Sequence, residues 1–430
     1  MKSALSARTW YQDTGIAPPT TFEKGSIGSK PYDVAIIGGG LAGLVTLLQL
    51  AGAGMNAILI EAGEIASGAS GRNGGFCSGG WAVGGPQIAR LVGHDAAAEL
   101  DVLADQGLRW MRTRMSRLEY ASTQPVDGEL LLSLWSEAPS IGPNERLLSN
   151  VELRDTLSSS RYKYGLYSSN GLHFHPLNFM RLLARDAIYS GGTILEQTQV
   201  NSIVKTYGGY SLGCASLANE IKAGRIVIAT GGYGRCKSGF STRHLLPIQT
   251  YIGVTSPLSD VLDSHIKTNW AISDRRRAGN YYRRLPDGRL LWGMAITAFG
   301  SMNPDAISHM ILHDIRSVYP KLVHDMLLDG AGIDYAWAGN MAYARHSMPY
   351  VGEIDQGYFV VSGFGGHGMN TAPAAAMALS RAMLGDKGAL DPFDAIPRRP
   401  VFGKIGAYAA EYSYRQMQLC DWLKEWGNNF

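Results

Sequence analysis

The chain of 430 residues contains only four cysteines, Cys77, Cys214, Cys236 and Cys420, and no two of them form a Cys-x-x-Cys pair. That scarcity argues against a disulfide framework or a zinc site and fits a reducing compartment, so the expected location is the cytoplasm. Charge is sparse as well. Charged residues make up 17% of the chain and the net charge is +3, too mild a balance to indicate a nucleic-acid partner. The one basic run, Arg275-Arg276-Arg277, reads as a solvated loop, with attraction of an anionic ligand the alternative. Residues 1–31 carry Lys2 and Arg8 but no apolar stretch of the kind a secretory signal needs. Pro18-Pro19 and Gly25 suggest instead an extended arm lying over the body. No membrane span is expected, because the most apolar window, Val34 to Leu50, is broken by three consecutive glycines. Walker A, Gly-x-Ser-x-Gly and Ser-His-Asp arrangements are missing too. His173 and His175 share a face at alternate spacing but lack a third ligand, so no metal is expected.

What is present in excess is glycine, 53 residues, well above the ~7% of an average protein. With no collagen-like period, the excess belongs in turns and close-approach loops. The length exceeds the ~250–300 residues at which one core stops growing, so two domains are expected. Tyr32 to Ile37 is a continuous apolar run that fits a buried parallel strand, Leu41 to Ala53 reads as a helix closed by Gly54, and Ala57 to Ile60 as a second strand ending at Glu61. Between them, Gly38-Gly39-Gly40-Leu41-Ala42-Gly43 matches Gly-x-Gly-x-x-Gly. Gly38 permits the tight turn, Gly40 admits a pyrophosphate to the helix N-terminus, Gly43 brings helix and sheet together, and Glu61 accepts hydrogen bonds from a ribose. This context predicts a bound dinucleotide without choosing between FAD and NAD.

A second glycine cluster, Gly363 to Gly368, makes the choice. It follows another apolar strand, Tyr358 to Val361, and precedes a helix, Thr371 to Leu384. A helix N-terminus carries roughly half a positive charge and suits the electron-rich edge of a reduced isoalloxazine, which points to FAD. His367, inside this loop, either donates to the flavin or is simply packed. The Gly/Ser-rich stretch Ser67 to Gly75 is read as a tight loop wrapped on a ligand. Helices are predicted over Ala97 to Leu118, Leu177 to Ser190 and Ile307 to Tyr319. Strands are predicted over Gly128 to Leu134, Thr193 to Val204, Tyr210 to Ala215 and Glu220 to Ala229, with turns and short strands over Gly165 to Phe174. A hairpin joins Tyr281 to Arg283 with Leu290 to Trp292, and Pro257 to Asp260 marks a turn. Tyr251, Tyr282 and Trp292 form either an aromatic substrate wall or core. Arg345-His346 either meets a substrate carboxylate or orders a loop. Cys77 reads as small and buried.

Those stretches carry a family resemblance. Val34 to Leu44, then Gly68-Ala69-Ser70-Gly71-Arg72-Asn73-Gly74-Gly75, Thr255 to Leu258, Tyr281 to Arg283 with Leu290 to Gly293, and Gly363 to Met369 resemble the D-amino-acid-oxidase-related FAD oxidoreductases, the group holding glycine and sarcosine oxidases, and most nearly their γ-glutamylputrescine oxidase branch. The resemblance implies an α/β fold in which a discontinuous Rossmann-like FAD-binding domain (32–115, 165–245 and 335–430, after an arm at 1–31) holds an inserted α+β substrate domain built on an antiparallel sheet (116–164 and 246–334). It also implies non-covalent FAD, held by Gly38, Gly40, Leu41, Ala42, Gly43, Glu61 and Ala62. The adenine meets the backbone of Val200, and Thr230-Gly231 lies along the cofactor. Ser70, Arg72, Asn73, Gly74 and Gly75 lie near the ring, with Gly366, His367, Gly368 and Met369 at its pyrimidine end. The implied reaction takes a hydride from the carbon next to the nitrogen of a small amine or amino acid to flavin N5, and O2 is reduced to hydrogen peroxide. His367, Arg345, Tyr251 and Tyr282 are the candidate catalytic side chains. Sarcosine oxidases carry a lysine above the flavin whose counterpart falls near Leu291, and no lysine stands between Leu285 and Met294. Another electron acceptor therefore stays open beside O2, as does the oligomeric state.

Overall fold

The computed structural model describes residues 7–21, 30–135, 137, 140–234, 239–277, 279–300 and 302–427. Lys2, Gly25 and Cys236 lie outside them. The architecture is a mixed α/β fold on two sheets. In the first, the order is Tyr350–Asp355, Tyr358–Ser362, Ile221–Ile228, Tyr32–Ile37, Ala57–Ile60 and Thr193–Leu195, and the last five strands run parallel. Tyr32–Ile37 sits at its centre with its last four residues buried, as an apolar run covered on both faces must be. Its alternation splits the core. Val34 and Ile36 face the side covered by the helices Leu41–Gly52, Pro176–Tyr189 and Gly368–Met383, whereas Ala35 and Ile37 face Tyr210 and Leu212 of an antiparallel hairpin.

The second sheet orders Ile333–Tyr343, Leu246–Thr255, Leu290–Thr297, Tyr281–Arg284, Ala271–Asp274, Val126–Ser133, Tyr164–His173 and Phe76–Cys77. It is antiparallel apart from the pairing of Ala271–Asp274 with Val126–Ser133. One of its faces packs on helices Ser259–His265, Pro304–Val318 and Pro320–Leu328, and the other turns toward the first sheet.

Several expectations are revised. Gly165 to Phe174 falls almost wholly in one ten-residue strand, Tyr164–His173, which pairs within the second sheet, as does Ile333–Tyr343. The Thr193 to Val204 strand is two, Thr193–Leu195 and Val200–Thr206. The second glycine turn leads into its helix at Gly368, three residues early. Pro257 to Asp260 opens a helix instead of only turning. The N-terminal segment includes a short helix, Trp10–Thr14, closed by a Thr9–Gln12 capping box. Its Tyr11 is fully buried, and Trp10 Nε1 donates to Asp287 at 2.8 Å. A 25-residue helix, Gly403–Gly427, for which the sequence reading has no counterpart, packs against the strands Leu246–Thr255 and Leu290–Thr297 of the second sheet. Glu411 accepts from Thr297 Oγ1 and Ala298 N there, and Arg161 grips Glu425 through two hydrogen bonds.

Candidate active site

The first glycine turn is built as its spacing requires. Gly38 has φ +116°, a conformation closed to residues with a side chain, and a Cβ on Gly43 would stand 2.0 Å from the Gly38 carbonyl oxygen. Helix and turn therefore touch, and the N-terminus of Leu41–Gly52 opens on a cavity of about 840 Å³ lined by Gly38, Gly40, Leu41 and Ala42. Glu61, at the end of the next strand, accepts from Gly39 N at 2.6 Å and Gly63 N at 2.8 Å, so its carboxylate is fixed on the cavity wall with lone pairs to spare. Ser70 Oγ accepts from Leu41 N at 2.9 Å and ties the Gly/Ser-rich loop to that helix start.

The loop itself is a single helical turn, Ala69–Arg72. Asn73 closes it, donating to Ala69 and Ser70 carbonyls and accepting from Gly75 N. Arg72 is buried and donates to the Ala338 carbonyl, while Trp337 Nε1 donates back to the Arg72 carbonyl. The two sheets are thus joined through this loop. Burial pulls the Arg72 guanidinium below its ordinary value. The second glycine turn lies across the same cavity, with Gly363, Gly365 and Gly366 all at positive φ, and the helix Gly368–Met383 points its N-terminus inward. Two helix N-termini therefore face one cavity, one suited to a pyrophosphate and one to an electron-rich ring.

The expected cofactor residues line this cavity, except Gly43, which works beneath the turn, and Gly75. A Cβ at Gly75 would meet the Phe174 carbonyl oxygen at 2.1 Å. Among the described residues, the buried hydroxyls of Thr230 and Ser362 have no hydrogen-bond partner, and both residues line the cavity. Gly231, beside Thr230, has φ +54° and open space where a Cβ would stand. Unsatisfied donors beside open backbone fit a polar ligand with many acceptors, and a flavin dinucleotide is such a ligand.

The candidate catalytic side chains fare differently. His367 lines the cavity, but Nε2 of its ring meets the Gly79 carbonyl at 2.9 Å, and burial lowers its pKa. It is a neutral ring whose proton is directed at backbone, which makes it a brace for the loop. Arg345 is exposed, lies over the Phe402 ring and does not line the cavity; His346 bonds to the Pro397 carbonyl and Met348 N. The pair orders a loop. Tyr251 and Tyr282 point into the second core, where Tyr282 stacks on Trp292 with ring centres 4.3 Å apart and bonds the Tyr319 hydroxyl at 2.7 Å. Their strand neighbours Thr250, Ile252 and Tyr281 line the cavity instead, because successive side chains leave a strand on opposite faces. A β-bulge at Thr250/Tyr251 lies opposite Ala295, at φ +58°, and both Ala295 and Ile296 line the wall.

Sequence reasoning took the Arg275-Arg276-Arg277 run as a solvated loop, with an anionic ligand only the alternative, and passed over Tyr343 and Met341, which also line the cavity. Arg277 is exposed and lines the cavity, where its charge and the Tyr281 phenol both act on Tyr343. Within the basic run, Arg276 pairs with buried Asp274 and Arg275 lies over Trp135, while Arg277 has no carboxylate in salt-bridge reach among the described residues. Burial pushes the Tyr281 hydroxyl up to about 12 and raises Tyr343 as well, so both phenols stay neutral donors. Among the described residues lining the cavity Glu61 is the sole acid. His173 and His175 hold structure: His173 lies against the Asn269 carbonyl and Arg283, and His175 caps the helix Pro176–Tyr189.

Comparison with known proteins agrees with this geometry. The FAD dependent oxidoreductase family matches residues 33–382. The chain is 29% identical to a probable oxidoreductase OrdL of Rhizobium meliloti, over 89% of this chain and 90% of that one. It is 27% identical to the gamma-glutamylputrescine oxidoreductase of Escherichia coli, over 86% and 88%. The fold is similar to that of glycine oxidase from Geobacillus kaustophilus, with a TM-score of 0.65 and 19% identity over 86% of this chain and all of that one. A dinucleotide turn, a second helix N-terminus across one cavity and a match over most of the length lead to one conclusion: this chain is an enzyme of the FAD dependent oxidoreductase family, with FAD as its cofactor.

Proposed function

We propose that the protein oxidises a small amine or amino acid that bears a carboxylate, with O2 as the electron acceptor. The observation that carries this reading is one cavity with two ends, a cofactor cradle at Glu61 and a cationic, phenol-lined rim at Arg277. When bound, FAD would supply the redox chemistry, the substrate giving up a hydride from the carbon next to nitrogen and a proton from the nitrogen to become an imine that water hydrolyses to a carbonyl compound and an amine or ammonia, with those two electrons and two protons reducing O2 to hydrogen peroxide. Gly38 to Ala42, Glu61, Ala62 and Val200 hold the nucleotide end in this reading. Ser70, Arg72, Asn73 and Gly74, with Gly366 to Met369, flank the ring. The cofactor is held without a covalent bond: Cys77 is buried, does not line the cavity, and burial pushes its thiol up to about 12.

The chain's own residues orient the substrate. Arg277 meets the carboxylate through a charge-assisted hydrogen bond, and the neutral Tyr281 and Tyr343 hydroxyls donate beside it. Phe76, Ile252, Met341 and Phe364 keep water from the reacting carbon. A hydride transfer needs no strong side-chain base, and among the described residues none lines this end.

The test is a visible spectrum of the purified protein, followed by flavin bleaching and peroxide formation across amines and amino acids with and without a carboxylate. A colourless protein that takes up no FAD overturns the reading. Bleaching only by amines lacking a carboxylate overturns the substrate class. One observation favours a second reading, a dehydrogenase with a different acceptor: no lysine stands between Leu285 and Met294, the stretch in which the resemblance to sarcosine oxidases would put one. Bleaching in air without peroxide selects it.

A further inference from the structure

The Gly403–Gly427 helix carries an apolar face that the fold does not cover. Its inner side meets the body through Ala407, Glu411, Asp421 and Glu425. Its outer side exposes Ile405, Tyr408, Tyr412, Leu419, Trp422, Leu423 and Trp426, each between 49% and 76% accessible. At 3.6 residues per turn these fall within an arc of about 100° and run the length of a helix about 37 Å long. Phe402 and Phe299, whose ring lies 4.7 Å from Tyr408, widen the stripe. An apolar patch of this extent marks a site of association.

The order of residues along the stripe says with what. About the midpoint between Arg415 and Gln416, Ile405 is equidistant with Trp426, Tyr408 with Leu423, Tyr412 with Leu419, and Ala409 with Trp422. Each bulky residue has an apolar mate across the midpoint, and Trp422 is matched with the small Ala409. Lys404 and Lys424 are mirrored by Gly427 and Ala407, and Arg415, which falls beside its own image at the midpoint, is paired with Glu411 of its own helix. A face that meets itself when turned end for end is what a two-fold contact demands. A lipid surface makes no such demand. With three cations against three acids, the helix also lacks the basic excess of a membrane-surface helix.

We propose that this helix is the contact of a symmetric homodimer, docked antiparallel on the same helix of a second copy. A strip about 37 Å by 10 Å gives roughly half of the ~800 Å² per partner of a standard interface, so the dimer is concentration-dependent. It also reaches the site. The helix accepts Arg277 N through Asp421 and Thr297 through Glu411, next to the wall residues Ala295 and Ile296. The inference does not depend on the substrate proposed above.

The experiment is sedimentation velocity on the full-length FAD-loaded protein from about 1 to 100 μM. The expected result is a monomer–dimer equilibrium that Leu419→Glu with Trp422→Glu weakens at least ~100-fold, with flavin absorbance unchanged. In a Cys420→Ser background, an equimolar mixture of Tyr412→Cys and Leu419→Cys chains should form a disulfide dimer that neither variant forms alone. A wild-type monomer throughout that range overturns the proposal, as does a dimer unmoved by the two glutamates. A chain that stays monomeric but sediments with anionic vesicles overturns it in favour of lipid.

Discussion

Arg277 and Arg283 stand six residues apart and face opposite electrostatic situations. Arg277 is exposed on the cavity rim, while Arg283 is 3% exposed and donates to the Gly74 and Phe174 carbonyls, at 2.8 and 3.0 Å, and to the Tyr11 hydroxyl. Losing the first removes one charge-assisted hydrogen bond of roughly 1.5–3 kcal/mol, so Arg277→Gln should raise KM for carboxylate-bearing substrates by about 10- to 100-fold while kcat changes little. Steady-state kinetics against a carboxylate-free amine decides it; an equal rise for both would remove Arg277 from recognition. Arg283 acts through its neighbours. Burial first, and its charge second, hold His173 and His175 down to about 3. Between that value and 6.5 the unfolded chain binds the protons and the folded chain does not, so stability falls as pH falls through this window. The loss is at most about 1.4 kcal/mol per pH unit for each histidine. The urea midpoint should drop between pH 7 and 5, and a flat midpoint would show that the two rings are not buried neutral.

At the level of elements, the glycine turn makes a steeper demand than its helix does. Gly43→Ala places a methyl 2.0 Å from the Gly38 oxygen and forces helix and strand apart, so the variant should purify without the visible flavin absorbance. Gly52→Ala, at the other end of the same helix with nothing near its Cβ, should retain FAD and change stability by no more than ~0.5 kcal/mol. Flavin retained by Gly43→Ala would mean the turn yields more than its contacts suggest. The turn, its helix and Glu61 were legible because short-range spacing and periodicity specify them. The substrate wall was not. Strands such as Leu246–Thr255 bury residues on both faces, so the sequence does not mark which face meets the cavity, and Tyr251 and Tyr282 fall one residue from Thr250, Ile252 and Tyr281. Arg277 was hidden in a run of three arginines that only tertiary contacts tell apart. In the Gly403–Gly427 helix the apolar periodicity points outward, so an amphipathic reading would turn the wrong side to the core.

In the molecule as a whole, the cavity is lined from both sheets, so a ligand held there ties them together. FAD in hundredfold excess over its dissociation constant should stabilise the fold by about 2.7 kcal/mol. The apo protein should therefore melt several degrees lower, and calorimetry with added FAD measures the difference. An unchanged melting temperature would place FAD outside the folded core. Sheet membership was the least legible feature at this scale, since Tyr164–His173 and Ile333–Tyr343 join the second sheet by long-range pairing that no local pattern announces. Among the described residues no helix is long and apolar enough to cross a membrane.

The division of labour along the second sheet's strands has a consequence for how such an enzyme changes over evolutionary time. Thr250, Ile252 and Tyr281 shape the chamber, while Tyr251, Tyr282 and Trp292 hold the scaffold, and the two sets alternate along the same backbone. Selection can therefore revise the first set one position at a time, trading one small molecule for another, without spending the packing that keeps the strand in place.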